Sequence, residues 1–149
     1  MTVKSKDYTC VVCPNGCTIK ITFEEQEQGK PVFIEAQGQR CPRGISWAKQ
    51  EIVDPVRSFA TSVLVQNGQF LECSVRLSKP VQLTKVFEIM EEIKKLRPVA
   101  PLYIGQVLLK NPAGTDTEVI VTKNVPENIP ERNTSTIEKI EKTIRRIVN

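Results

Sequence analysis

Cys10, Cys13 and Cys17 crowd into one short loop, and Cys41 follows after a gap of 23 residues. The pattern is C-x2-C-x3-C, then C-P-R-G. Three thiols this close can wrap one corner of a metal site, and a fourth arriving from a distance can close it. A fold for this chain must therefore bring Cys41 back to the loop that holds the other three. The chain has no histidine. That excludes a histidine general base, a Ser-His or Cys-His nucleophile pair and any histidine-ligated metal. A soft metal bound here has to rest on cysteine.

The intervening residues supply the return. After Cys17, Ile19, Ile21 and Phe23 alternate with Lys20, Thr22 and Glu24, which is the period of a half-buried strand. Glu25 to Lys30, with Gly29, reads as a polar turn, and Val32 to Ala36 reads as the returning strand. A hairpin thus spends the gap and delivers Cys41 beside Cys17. Ile45 to Glu51 is expected to form a short helix with Ile45 and Ala48 on one side, and Pro55 closes the module.

Further on, Thr61–Gln66 and Gln69–Leu77 flank Asn67-Gly68, a pair suited to a two-residue type I′ hairpin turn because both positions need positive φ. Val86, Ile89, Met90, Ile93 and Leu96 recur at helical spacing within Thr84–Leu96, and Arg97-Pro98 stops that helix. Two more strands are expected at Gln106–Lys110 and Glu118–Thr122, joined by the turn-rich Asn111 to Thr115. A loop from Pro126 to Asn133 leads to an amphipathic tail helix over Thr136–Val148, with Ile137, Ile140, Ile144 and Ile147 as its apolar stripe. That stripe suits docking on the chain's own domain or on a partner. The expected fold is α+β: a cysteine-loop β-hairpin module (residues 1–57) packed on a small hairpin, helix and two-strand unit (58–125), followed by a linker and C-terminal helix (126–149).

The chain of 149 residues is long enough to bury a core without a metal. Its net charge of +4 is small and dispersed, which argues against nucleic acid as a partner. No stretch approaches the roughly 18 apolar residues of a membrane span. Residues 1–9 are polar and carry no signal-peptide core, so a reducing cytoplasm is the expected compartment. There, clustered cysteines serve as ligands or redox groups more readily than as structural disulfides.

Three chemistries fit the cysteines. Iron–sulfur ligation wants four sulfurs around a compact cluster, with the backbone folded so that amides point inward. Gly16 can adopt positive φ beside Cys17, and Pro14 and Pro42 stiffen the turns after Cys13 and Cys41. Structural zinc more often uses two Cys-x-x-Cys pairs, and the second pair is missing here, although four cysteine ligands remain chemically sufficient. A dithiol redox couple on Cys10 and Cys13 would want a thioredoxin-like βαβ setting, whereas a strand hairpin follows this pair. The spacing favours a [4Fe-4S] cluster on Cys10, Cys13, Cys17 and Cys41, with zinc as the alternative.

Cys73 falls in register with Leu71, Val75 and Leu77 and reads as a small core residue. Trp47 is a candidate shield for the cofactor, or plain packing for the short helix. Arg43 is a candidate source of positive charge near the sulfurs, or an exposed loop arginine. No acid pair, nucleophile motif, phosphate loop or dinucleotide-binding glycine pattern stands out, and no small-molecule substrate site is evident.

Cys10-Val11-Val12-Cys13-Pro14-Asn15-Gly16-Cys17, with Cys41-Pro42-Arg43-Gly44, resembles the N-terminal iron–sulfur segment of molybdopterin oxidoreductases. There a C-x2-C-x3-C…C-x-(Lys/Arg)-Gly pattern binds a [4Fe-4S] cluster, and the basic residue lies between cluster and pterin. Arg43 and Gly44 match those positions. The chain lacks the length with which such enzymes enclose their pterin. The chain also resembles a small uncharacterised prokaryotic family with CxxC pairs, through the cysteine loop, Pro55-Val56-Arg57, Lys79 to Lys85 and the stretch from Gly105 to Thr122. Members of that family tend to be encoded beside flavin-dependent dehydrogenases and pyridine-nucleotide–disulfide-type oxidoreductases. The resemblance implies a non-catalytic electron-transfer subunit serving a flavin-dependent oxidoreductase. The alternative is a zinc-stapled interaction module of a larger oxidoreductase.

Overall fold

A computed structural model of the chain describes residues 2–128. The expected tail helix over Thr136–Val148 lies outside the described residues. The fold is α+β, as the hydrophobic patterning requires, with every paired strand antiparallel to its neighbour.

The first sheet has three strands in the order β1 (Thr2–Thr9), β2 (Thr18–Glu25), β3 (Val32–Gln37). β2 and β3 are the expected hairpin. Ile19 and Ile21 point inward and are fully buried, and Phe23 is half-buried. β1 was not legible from periodicity, because its residues are almost all polar and exposed. Its eight residues pair in unbroken register with β2, from Thr2 opposite Glu25 to Thr9 opposite Thr18. Polar cross-strand pairs support the ladder: Lys4 bonds Glu25, and the Ser5 and Thr22 hydroxyls lie 3.0 Å apart.

Helix α1 (Pro42–Val53) starts earlier and ends later than the expected Ile45–Glu51. Pro42 opens it, where a missing N–H costs nothing and a fixed φ suits the first turn. The buried face is Gly44, Ala48 and Ile52, spaced by four residues, and not Ile45 with Ala48. Gly44 explains the rotation. A Cβ there would lie 2.9 Å from the Gln39 Cβ and 3.2 Å from the Ile19 Cδ1, so the bare backbone is what lets the helix approach the sheet. Ile45, one residue on, is turned outward and is exposed. Cys10, Ile19, Ile21, Ala48 and Ile52 make a compact cluster, flanked by Tyr8, Phe33 and Trp47.

Past α1 the chain makes a short ribbon of β4 (Val56–Arg57) against β7 (Val81–Gln82). The second sheet runs β5 (Ala60–Leu64), β6 (Glu72–Leu77), β9 (Glu118–Val121), β8 (Val107–Lys110). Its inner face carries Val63, Cys73, Val75, Leu77, Val119 and Val121, all buried in a larger cluster. Helix α2 (Val86–Lys95), entered through a 3-10 turn at Leu83–Lys85, adds Ile89 and Ile93 to the same cluster. Burying each of these side chains contributes about 1.5–3 kcal/mol.

The turn between β5 and β6 corrects the expectation of a two-residue type I′ loop. The last ladder pair is Leu64 with Glu72, so seven residues intervene. Asn67 does adopt a positive φ of 55°, but the loop's backbone bonds run elsewhere. Gln66 donates to the Pro98 carbonyl and accepts from Ala100, Gln69 donates to Pro126, and Asn128 donates to Asn67. Partners distant in sequence have outcompeted the local turn.

Candidate metal centre

β1 runs directly into Cys10 and β2 leaves directly from Cys17, so the three-cysteine loop is the turn of a β1–β2 hairpin. The Cys10 N–H donates to the Cys17 carbonyl at 2.9 Å and closes its base. Gly16 takes the left-handed backbone that the sequence suggests, with φ +55°. On the far side, β3 ends at Gln37 and Gly38 turns the chain at φ +95°. Gln39 and Arg40 follow, and Cys41 sits at the N-cap of α1. The hairpin thus spends the gap as expected, and it delivers Cys41 on a helix terminus.

Cys10, Cys13, Cys17 and Cys41 all line one cavity of about 100 Å³. Cys10 is buried, the other three are half-buried, and none is in a disulfide. Arg43 and Gly44 from the first turn of α1 share the lining, as do Gln39 and Arg40. The latter two carry no motif signal beyond directly preceding Cys41. Among the described residues, no group of three or more Cys, Asp or Glu side chains is arranged to hold a metal ion.

The electrostatics favour a thiolate at one corner. The Gly44 amide lowers the Cys41 pKa, and the Arg43 guanidinium, amide and charge act the same way, against a desolvation effect in the opposite direction. This is the direction a ligand cysteine needs, since the thiolate is the coordinating form. A polar group at the cavity is also left over: the Gln39 side-chain oxygen is buried without a hydrogen-bond partner. A buried group of that kind calls for an occupant or a bridging partner. The four thiols that share this lining are chemically suited to thiolate ligation, but in this structure they are not drawn together into a metal-holding group.

Trp47 is placed differently from Arg43. It packs against the smaller cluster and lines a separate cavity with Tyr8, Val11 and Val56, not the one the thiols share. Cys73 is fully buried in the larger cluster, where desolvation raises its pKa; its thiol lies 3.3 Å from the Lys123 carbonyl. Among the described residues no helix is long and apolar enough to cross a membrane.

No curated protein matches the chain. Among solved structures, the NMR structure of protein CPE0013 from Clostridium perfringens is similar at 24% identity, over 54% of this chain and 93% of that one, with a TM-score of 0.42. Neither this likeness nor the family match reaches a molybdopterin oxidoreductase. Residues 42–123 match the family described as a protein of unknown function, DUF1667. The matched segment opens immediately after Cys41, takes in both helices and the whole second sheet, and leaves the four clustered cysteines on its N-terminal side. With more than half of its length matched, the chain belongs to the DUF1667 family.

Proposed function

We propose that this chain is an iron–sulfur electron-transfer accessory protein, with Cys10, Cys13, Cys17 and Cys41 as the ligands of a [4Fe-4S] cluster. The observation that carries the proposal is the convergence of those four thiols, and no other cysteine, on one cavity. When bound, such a cluster supplies one-electron transfer at a potential set by net charge, hydrogen bonds to sulfur and exposure.

The chain's own residues act on those variables. The β1–β2 turn holds three thiols in a closed loop, and the N-cap of α1 presents the fourth with the Gly44 amide beside it. Arg43 brings a fixed positive charge to the lining, which favours the more negative state of a bound group. The resemblance to the small CxxC-pair family, whose members tend to be encoded beside flavin-dependent dehydrogenases, implies the partner class, a flavin-dependent oxidoreductase.

Anaerobic, iron-replete expression followed by iron and acid-labile sulfide analysis tests the proposal, with EPR of the reduced protein. Cys41→Ser is expected to lower iron content sharply, and Cys73→Ser to leave it unchanged. Colourless protein carrying one zinc per chain under those conditions overturns the proposal in favour of a zinc-stapled module.

A further inference from the structure

Thr9 and Val11, the chain neighbours of Cys10, line a second cavity of about 400 Å³. That volume lies within the range of small-molecule sites, about 300–1,000 Å³. Two of the chain's few aromatic side chains, Tyr8 and Trp47, contribute to its wall. Both also pack against the smaller hydrophobic cluster, so the core holds them in place. Val11 and Val56 add aliphatic surface, and Val11 is 75% exposed although it is apolar.

The charges in the lining are already spent on one another. Among the described residues that line it, Arg57 is the only cation and Glu51 the only carboxylate. The Arg57 guanidinium donates to both Glu51 oxygens, at 2.9 and 2.5 Å, and to the Val56 carbonyl at 2.8 Å. The Glu51 side chain is 17% exposed and the Arg57 side chain 44%, so only the carboxylate end of this fork is shielded from water. A charged ligand would have to compete with this ion pair, an anion with Glu51 for Arg57 and a cation with Arg57 for Glu51. Gln50 and Ser58 supply neutral polar groups to the same wall.

We infer that this cavity binds a planar, uncharged aromatic molecule, recognised by Tyr8 and Trp47 with its polar substituent met by neutral side chains. The aromatic pair favours a flat π-system over a saturated one of equal size. The self-neutralised Arg57–Glu51 pair selects against charge. The inference holds whether the neighbouring thiols carry iron, zinc or no metal, because none of the cavity's lining residues is a cysteine.

Isothermal titration calorimetry of the full chain as purified, with 2-naphthol as the probe, tests this. Saturable one-site binding is expected, with trans-2-decalol, the saturated skeleton, binding at least several-fold more weakly. Trp47→Leu is expected to weaken 2-naphthol binding roughly three- to tenfold. Val11→Glu alters a side chain that is 75% exposed and outside both hydrophobic clusters, and places a carboxylate in the cavity; loss of binding is expected. Glu51→Gln frees the Arg57 charge and is expected to let 2-naphthoate bind where the wild-type chain rejects it. The absence of saturable heat up to the solubility limit of 2-naphthol overturns the inference. So does decalol binding equal to that of naphthol, or a folded Val11→Glu variant that binds as the wild type does.

Discussion

Gly38→Ala probes the device that brings Cys41 to the other thiols. Gly38 follows β3 with φ +95°, and a Cβ built on it would lie 2.4 Å from the Thr18 carbonyl oxygen and 3.6 Å from the Thr18 carbonyl carbon. Both atoms are backbone, so no side-chain rotation relieves the contact. The positive φ costs an L-residue about 1–2 kcal/mol. Forcing the strands apart adds about 1–3 kcal/mol, on the scale of overpacking in well-packed sites. The expected loss is about 2–5 kcal/mol, or roughly 6–15 °C in Tm for a domain of this size. Gly105→Ala is the matched control, because Gly105 has φ +87° with nothing within 4 Å of a Cβ. It should lose only the conformational part, about 1–2 kcal/mol. Urea and thermal unfolding of both variants measure the difference. Thr18 adjoins Cys17, so relief of the Gly38 clash moves the two sides of the thiol cavity apart. Iron content per folded chain should fall in Gly38→Ala and hold in Gly105→Ala. Equal destabilisation of the two variants would refute the steric reasoning.

Ile93→Ala, in the last turn of α2 and 2% exposed, should cost about 2–5 kcal/mol by urea denaturation while leaving iron content per folded chain intact. Asp54 bonds Lys30 and Gln82, and these contacts hold its carboxyl below the usual range. A lowered folded pKa means that its stabilisation is complete above the unfolded pKa and is lost as pH falls through the folded one. The acid limb of the stability profile should therefore be shallower in Asp54→Asn, as read by unfolding at a series of pH values. Cys73 should resist iodoacetamide in the native protein and label only in denaturant, by peptide mapping, because burial both shields its thiol and raises its pKa.

The sequence made the β2–β3 hairpin legible because Ile19, Ile21 and Phe23 write a period of two against charged neighbours, and the arrival of Cys41 near Cys17 followed from it. α2 was legible for the same kind of reason, from Ile89 and Ile93. β1 was not, since its stability comes from backbone pairing and polar cross-strand contacts, which leave no hydrophobic period. The outward turn of Ile45 depends on how closely Gly44 approaches Gln39 and Ile19, a tertiary distance without a local signature. Asn67-Gly68 carried a strong local signal that long-range bonds to Pro98, Ala100 and Pro126 overrode. Arg43 and the four cysteines could be named from spacing alone. The separation of Trp47 from the thiol cavity rests on which face of α1 meets β2 and β3, and spacing does not encode that.

β1 buries almost nothing of its own, yet it is one leg of the loop that presents three thiols. Under the proposed ligation, its order and the loading of the site are coupled. A ligand on the proposed cysteines would add its binding energy to the ladder that already pairs β1 with β2, and by reciprocity fraying of the strand would loosen that ligand. Amide hydrogen exchange along residues 2–9 therefore becomes a gauge of occupancy, read at a distance from the sulfurs and without any spectroscopic signal from the bound group.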